Sequence, residues 1–506
     1  MMRHQFAPVE RASSLPCPHP CGHSFLARGP RSSEKCPREC GHGRPGGLLA
    51  ILLFGLSACT VGPNYKRPDT PLPPQFHSAA QPESAASIAD AKWIDLFDDD
   101  VLKQLVTTAI DRNFDLRIAA ERVEEARASL GVARANQYPF LDAQALGQST
   151  RSSTVGDFPV SPGEQIASTY TQAGVALSWE IDFWGRLRRL TEAARAQYLA
   201  TEEGRRAALV SLVSQVMTTY FQLLEQDLEL EISRKTRDIA TDNLRLVKLR
   251  HDRGAATGLD VSQAQQLLYT ATSAMAAAER GVGQTEDALS LLLGGAPTTQ
   301  PRGKPLYQFP LPPQLPAGLP SALLERRPDI LQAEQNLVAA NAQIGAARAL
   351  YFPTIELTGF FGAQSRALTQ FFTFPARMEN IGPSALLPIF HAGQIRQQVR
   401  LTQAQQREML ATYQKAVYSA LRDVSDALIA HDRTRQQREQ QEQLVAALSE
   451  SVRLSTLRYQ GGLDSYLQVL DAQRSLFQGQ LQLAQLRMLE LQSVAQLYRA
   501  LGGGWQ

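Results

Sequence analysis

The chain has 506 residues, with Lys+Arg 51 against Asp+Glu 49 and a formal net charge of +2. That balance provides no basic field of the kind nucleic-acid binding demands. All five cysteines, Cys17, Cys21, Cys36, Cys40 and Cys59, precede residue 60, so disulfides and thiolate metal sites are excluded from everything that follows.

In chain order, the first feature is an export signal. Gly46 to Ala58 form an apolar run too short to span a bilayer, preceded by Arg44. Leu56-Ser57-Ala58-Cys59 closes it and resembles the lipobox of bacterial lipoproteins. That resemblance implies cleavage before Cys59, acylation of its sulfur, and passage to the outer membrane, favoured by Thr60 in place of an aspartate. Stable anchoring takes more than one acyl chain, each buried CH₂ contributing about 0.8 kcal/mol. Residues 1 to 45 exceed what a signal needs before its apolar run, and the plainest reading is a start codon assigned too far upstream. Cys17-x3-Cys21 and Cys36-x3-Cys40, with His19, His23 and His42 nearby, lack the spacing of a zinc knuckle.

The length prior would allow about three domains, but an internal duplication argues for two halves of one body. Gly131 and Ala133-Arg134-Ala135 before Pro139 reappear as Gly345 and Ala347-Arg348-Ala349 before Pro353. Leu249-Arg250 before Gly254 matches Leu457-Arg458 before Gly462, and Leu293-Gly294-Gly295 matches Leu501-Gly502-Gly503. The expected division is a leader and signal over 1–58, an acylated cysteine and proline-rich tether over 59–95, and a first repeat over 96–296. A proline-rich linker over 297–322 and a second repeat over 323–503 complete it.

Within each half the pattern reads helix, strand, strand, long helix, long helix. Leu102, Leu105, Val106, Ala109 and Ile110 recur at helical spacing in a segment running from Val101 to Asn136. From Ala173 to Asp182 the period changes to two, with Ala173, Val175, Leu177, Trp179 and Ile181 alternating against polar residues. Strands are expected near 140–152, 169–182, 353–365 and 381–390. Residues 186 to 250 contain no proline, and a helix there reaches roughly 95 Å. Leu209, Val216, Leu223 and Leu230 mark a coiled-coil seam along it, with Val213 and Tyr220 between. Residues 394–456 and 464–501 repeat the habit.

Strands of this length and alternation suit a transmembrane barrel, and no 18-residue apolar run was evident for a membrane helix. Four strands cannot close, and a sheet edge left in lipid is costly, so closure calls for further chains.

The lipobox, Trp93 before Phe97, Ser178-Trp179-Glu180-Ile181-Asp182-Phe183-Trp184-Gly185-Arg186, Glu325-Arg326-Arg327-Pro328-Asp329, and Tyr466-Leu467-x-Val469-Leu470-Asp471-Ala472-Gln473 together resemble TolC-like outer membrane factors. Their lipoprotein branch, the outer-membrane subunits of resistance-nodulation-division efflux pumps, is most similar. The resemblance implies a mainly α protein with a membrane β-barrel: a homotrimer whose twelve strands form the barrel and continue as an α-helical periplasmic tunnel. Implied partners are a periplasmic membrane-fusion adaptor, an inner-membrane resistance-nodulation-division pump and outer-membrane lipid. It also implies a gate of Asp260 with Arg458 and Tyr459 at the periplasmic tip, and a selectivity ring formed by Asp471 from each protomer. Asp260 followed by Gln263 also reads as a helix start with its cap. Gln468 and Asp464 stand where one branch of the family carries a second aspartate and an arginine, so a single ring is expected. Beyond the leader, His77, His251, His391 and His431 are isolated, with no nucleophile or phosphate motif. No enzyme activity, cofactor or metal is expected. The rival readings are a protein-secretion channel of type I, a lipid-anchored coiled-coil scaffold without a pore, and a hydrolase with an unfamiliar site.

Overall fold

The structure, a computed structural model, describes residues 60–77, 87–90, 94, 97–153, 155, 166–309 and 318–503. The duplication is metric as well as textual. Helix α1 (Asp100–Arg112) leads into α2 (Phe114–Ala135), then strands β1 (Phe140–Arg151) and β2 (Ala167–Glu180). The long pair α3 (Arg186–Asp252) and α4 (Gly258–Leu292) ends the first half. The second half, after a single turn at Leu323–Arg326, runs α5 (Pro328–Ala349), β3 (Thr354–Ser365), β4 (Arg377–Leu386), α6 (Gln394–Gln460) and α7 (Tyr466–Ala500). Helices α2 and α5 both have 22 residues, α3 and α6 both 67, and α4 and α7 both 35.

The segment expected as one helix from Val101 to Asn136 is two. Asn113 leaves helical geometry at ψ 134°, its Oδ1 accepts from the Leu116 amide at 3.1 Å, and its amide donates to the Leu292 carbonyl at 2.9 Å. One side chain therefore stops α1, caps α2 and ties both to the end of α4. In the second half Arg327-Pro328 performs the corresponding restart.

The four strands form one antiparallel sheet in the order β1-β2-β3-β4. The central joint between β2 and β3 thus unites the two repeats. Strand β4 begins at Arg377 rather than 381 and ends before Pro388, because its extent is set by pairing with β3, from Arg377 opposite Ala363 to Leu386 opposite Thr354. Pro383 lies within β4, opposite Leu357 of β3.

The helices hold the core. Val213, Val216, Tyr220 and Leu223 of the expected seam are fully buried in α3, packed with Leu102, Val106, Leu289 and Leu491. One 18-residue window of α3 does reach a mean hydropathy of 1.4, contrary to expectation, but 56% of it is buried inside the protein. It is a core helix by this measure. Nearer the sheet, α3 and α5 pack Ala193 and Ala196 against Ala339 and Ala342, small side chains that allow close approach of the two backbones.

Candidate functional site

The end of the helical body farthest along the chain from the sheet is built by two matching turns. After α3, Gly254 adopts φ +72° and the Ala255 amide reaches back to the Arg250 carbonyl at 2.7 Å; after α6, Gly462 adopts φ +72° and the Leu463 amide reaches the Arg458 carbonyl at 2.9 Å. Each is a left-handed helix stop that an L side chain would strain.

Equal turns carry unequal side chains. Arg458 bonds Asp464 through two nitrogens, at 2.5 and 3.1 Å, and its guanidinium holds the Asp464 carboxyl below the usual carboxylate range. Its counterpart Arg250 instead lies over the Tyr459 ring, 4.7 Å from the centroid. Tyr459 meets Tyr466 at 5.4 Å between centroids. Asp260 forms a capping box: its Oδ2 accepts from the Thr257 amide and hydroxyl, both at 2.8 Å, while Thr257 Oγ1 accepts from the Asp260 amide at 3.2 Å. Within the protomer, then, Asp260 and Arg458 are not bonded, each being held by a local partner. What the structure does assemble around Tyr459 is Arg250 from α3 and Tyr466 from α7. Both residues have a place in the sequence, Arg250 opposite Arg458 in the duplication and Tyr466 at the head of the last motif, but no role at the gate.

Behind this cluster, Leu244, Val247, Ala264, Leu267, Val469 and Leu470 form a small apolar core that joins α3, α4 and α7. Asp471 lies on a groove between α4 and α7 beside Gln263, Gln266 and Thr270. It is exposed and pairs with Arg474 at 2.7 Å. An exposed pair of this kind contributes about 0–1 kcal/mol, so it leaves the carboxylate free to exchange partners.

At the other end, the register sorts the sheet into two faces. Leu141, Leu177, Gly359 and Ile381 share one cross-strand row, and Ala143, Val175 and Phe361, with Glu379 at the β4 end, the next on the same face. Rows of the opposite face carry Gln144 and Gly174, then Gln172 and Gln364, then Ser178 and Thr358. The apolar face is open: Leu141, Phe361 and Ile381 are 68%, 64% and 72% exposed. Exposed apolar side chains of this size on one face suit contact with another apolar phase.

Residues 60–77 are the first described part of the stretch 59–95 expected to be a tether reaching from anchor to body. They have little regular structure, yet they are bound along their length. The Val61 amide donates to the Trp184 carbonyl at 3.0 Å, Arg189 donates to Asn64 Oδ1 at 2.8 Å, and Asn341 to the Pro63 carbonyl at 3.0 Å. Arg67 grips Glu334 at 2.7 and 2.5 Å, and Phe76 is buried with Leu323 and Ile330. The strap therefore holds Thr60 against Gly185, at the junction of β2 and α3. Cys59 itself lies outside the described residues, as do Trp93 and the leader.

With this geometry in view, comparison with known proteins is decisive. The family of outer membrane efflux proteins matches over residues 105–295 and 319–503, both repeats. The chain belongs to that family. Among its relatives, the solvent efflux pump outer membrane protein SrpC of Pseudomonas putida is 38% identical over 466 residues, 90% of this chain and 97% of the relative. The outer membrane protein OprJ of Pseudomonas aeruginosa is 37% identical, over 91% and 96% of the two chains. The cation efflux system protein CusC of Escherichia coli is 35% identical, over 89% and 97%. Solved structures agree: CusC superposes with a TM-score of 0.77 at 33% identity, covering 88% of this chain and all of the other. The outer membrane channel MtrE of Neisseria gonorrhoeae, in its open state, gives 0.78 at 32% identity, covering 88% and 99%. The protein is thus an outer-membrane efflux channel component with the TolC-like fold, from a family of transport ducts rather than enzymes. Among the described residues no group of three His, Cys, Asp or Glu is disposed to hold a metal.

Proposed function

We propose that three copies of this chain close a twelve-stranded barrel in the outer membrane and form the exit duct of a tripartite pump for small molecules. One observation carries the reading: a four-stranded sheet with an open apolar face and unpaired edges at β1 and β4 continues into helices of 67 residues, each about 100 Å long. Edges in lipid require partners, and a second and third copy supply them. The apolar face then meets lipid and the polar face lines the duct. Relatives serve solvent and cation efflux, which supports a conduit whose cargo is selected elsewhere, by an inner-membrane pump joined through a periplasmic adaptor. Acylation of Cys59 supplies a second hold on the membrane, and the strap sets its distance from the barrel.

The tip closes through Asp260, Tyr459 and Arg458, whose local partners are exchanged for contacts between helix pairs. A charge-assisted bond contributes roughly 1.5–3 kcal/mol, enough to hold a closed state that a docking partner overturns. In a planar bilayer, Asp260→Ala with Tyr459→Phe is expected to raise the open probability at least tenfold over the parent; absence of conductance in both would sink the channel reading. Asp471 carboxylates gather on the three-fold axis and favour cations. Asp471→Ala is expected to reduce the cation preference, measured as a shift of the reversal potential in a salt gradient towards zero, and a preference left intact removes the ring.

A further inference from the structure

Where the first turn is followed by Gly258, the second is followed by Tyr466, the first residue of α7. Its side chain is 5% exposed, packed with Leu244, Val247 and Ala264. Its hydroxyl has no hydrogen-bond partner. Packing alone does not call for that oxygen, since phenylalanine would fill the same space and leave no buried polar atom unmet.

The surroundings indicate where the hydroxyl is used. Burial pushes the Tyr466 phenol up to about 12, and the nearby Tyr459 and Asp260 push in the same direction. Asp260 sits in the first turn of α4, one residue before Val261, which packs against the apolar cluster that holds Tyr466. Its capping bonds to Thr257 engage Oδ2 alone, which leaves Oδ1 open without loss of the cap. The Tyr459 ring lies against that of Tyr466 at 57°, itself covered by Arg250.

We propose that the Tyr466 hydroxyl is a latent gate contact, unmet in the arrangement described here and donated to Asp260 Oδ1 when α4 and α7 draw together as the tip closes. A buried donor that gains a carboxylate acceptor biases the tip towards closure, and this inference rests on the gate reading above.

Single-channel recording of the full-length protein in planar bilayers tests it through a double-mutant cycle. Tyr466→Phe is expected to raise the open probability about tenfold. In an Asp260→Ala background the same change is expected to have no further effect, and the melting temperature of Tyr466→Phe is expected to equal or exceed that of the parent. A purely packing role predicts unchanged gating in Tyr466→Phe and overturns the proposal. An undiminished increase in the Asp260→Ala background removes Asp260 as acceptor and overturns it too. If Asp260→Ala with Tyr459→Phe opens the channel while Tyr466→Phe does not, only this inference falls; if neither does, the gate reading falls with it.

Discussion

Arg438→Met is expected to destabilise the protein by about 3–5 kcal/mol, because it leaves the Glu490 carboxylate buried without its counter-charge. Glu490 on α7 has no exposed surface, and its Oε2 accepts from Arg438 Nε at 2.6 Å, while Oε1 has no partner. Arg438 also bonds Glu442 at 3.0 Å, and Glu442 accepts from Arg487 at 2.9 Å, so one guanidinium links α6 to α7 through a chain of four charges. Burial pushes the Glu490 carboxyl up, and Arg438 pulls it down. Removing the arginine takes away the largest opposing effect and leaves only the weaker pull of Arg435. A carboxyl whose folded pKa lies above its unfolded value binds the proton more tightly when folded, so stability is present at low pH and is lost as pH rises through that interval. The deficit of Arg438→Met, measured by thermal melting against the parent, is therefore expected to be smaller at pH 5 than at pH 8. Arg438→Met with Glu490→Leu removes both charges and is expected to recover most of the loss. A single variant that melts with the parent at pH 8 would show that the pair is dispensable.

Much of this architecture was legible in the sequence because duplication and periodicity are both written in residue order. The seam through Val213, Val216 and Tyr220 became the core, and the alternation over Ala173 to Trp179 became β2. Other features depend on partners distant in sequence. The break at Asn113 answers to the Leu292 carbonyl, and the limits of β4 follow those of β3, so neither could be read locally. The tip was legible as a set of residues but not as a set of bonds. Arg458 finds Asp464 six residues away and Asp260 finds Thr257, because short-range partners cost less chain entropy than partners on another helix pair. Tyr466 stood in a motif without a role of its own for a different reason. An aromatic at helical spacing reads as core, and only coordinates reveal that its hydroxyl is unmet.

The joint between the two halves sets up the second large effect, because there the backbones leave no room for any side chain. Gly174 of β2 faces Gly362 of β3, and the Phe360 ring lies across both. A Cβ on Gly174 would stand 2.5 Å from the Phe361 carbonyl oxygen, 2.6 Å from Gly362 Cα and 2.7 Å from the Phe360 ring. The ring could turn away, but the two backbone atoms move only if β2 and β3 separate. Aromatic cover over paired strand glycines stabilises a sheet that must curve, which is what a barrel wall requires. Gly174→Val is therefore expected to cost about 3 kcal/mol, the upper end for overpacking, and to do so at the one strand pair that joins the repeats within the protomer among the described residues. In the proposed trimer, sheet closure with other copies depends on that pair. The expected outcome is a purified protein whose helical circular dichroism persists while assembled trimer, measured by size-exclusion chromatography with light scattering, is largely lost. Gly147→Val in β1 is the matched control, since a Cβ there meets nothing within 4 Å, and it is expected to assemble as the parent does. If both variants assemble alike, the glycine pair does not govern the wall. If only Gly174→Val fails, the ancestral doubling is held together in the membrane by a contact that neither copy makes alone.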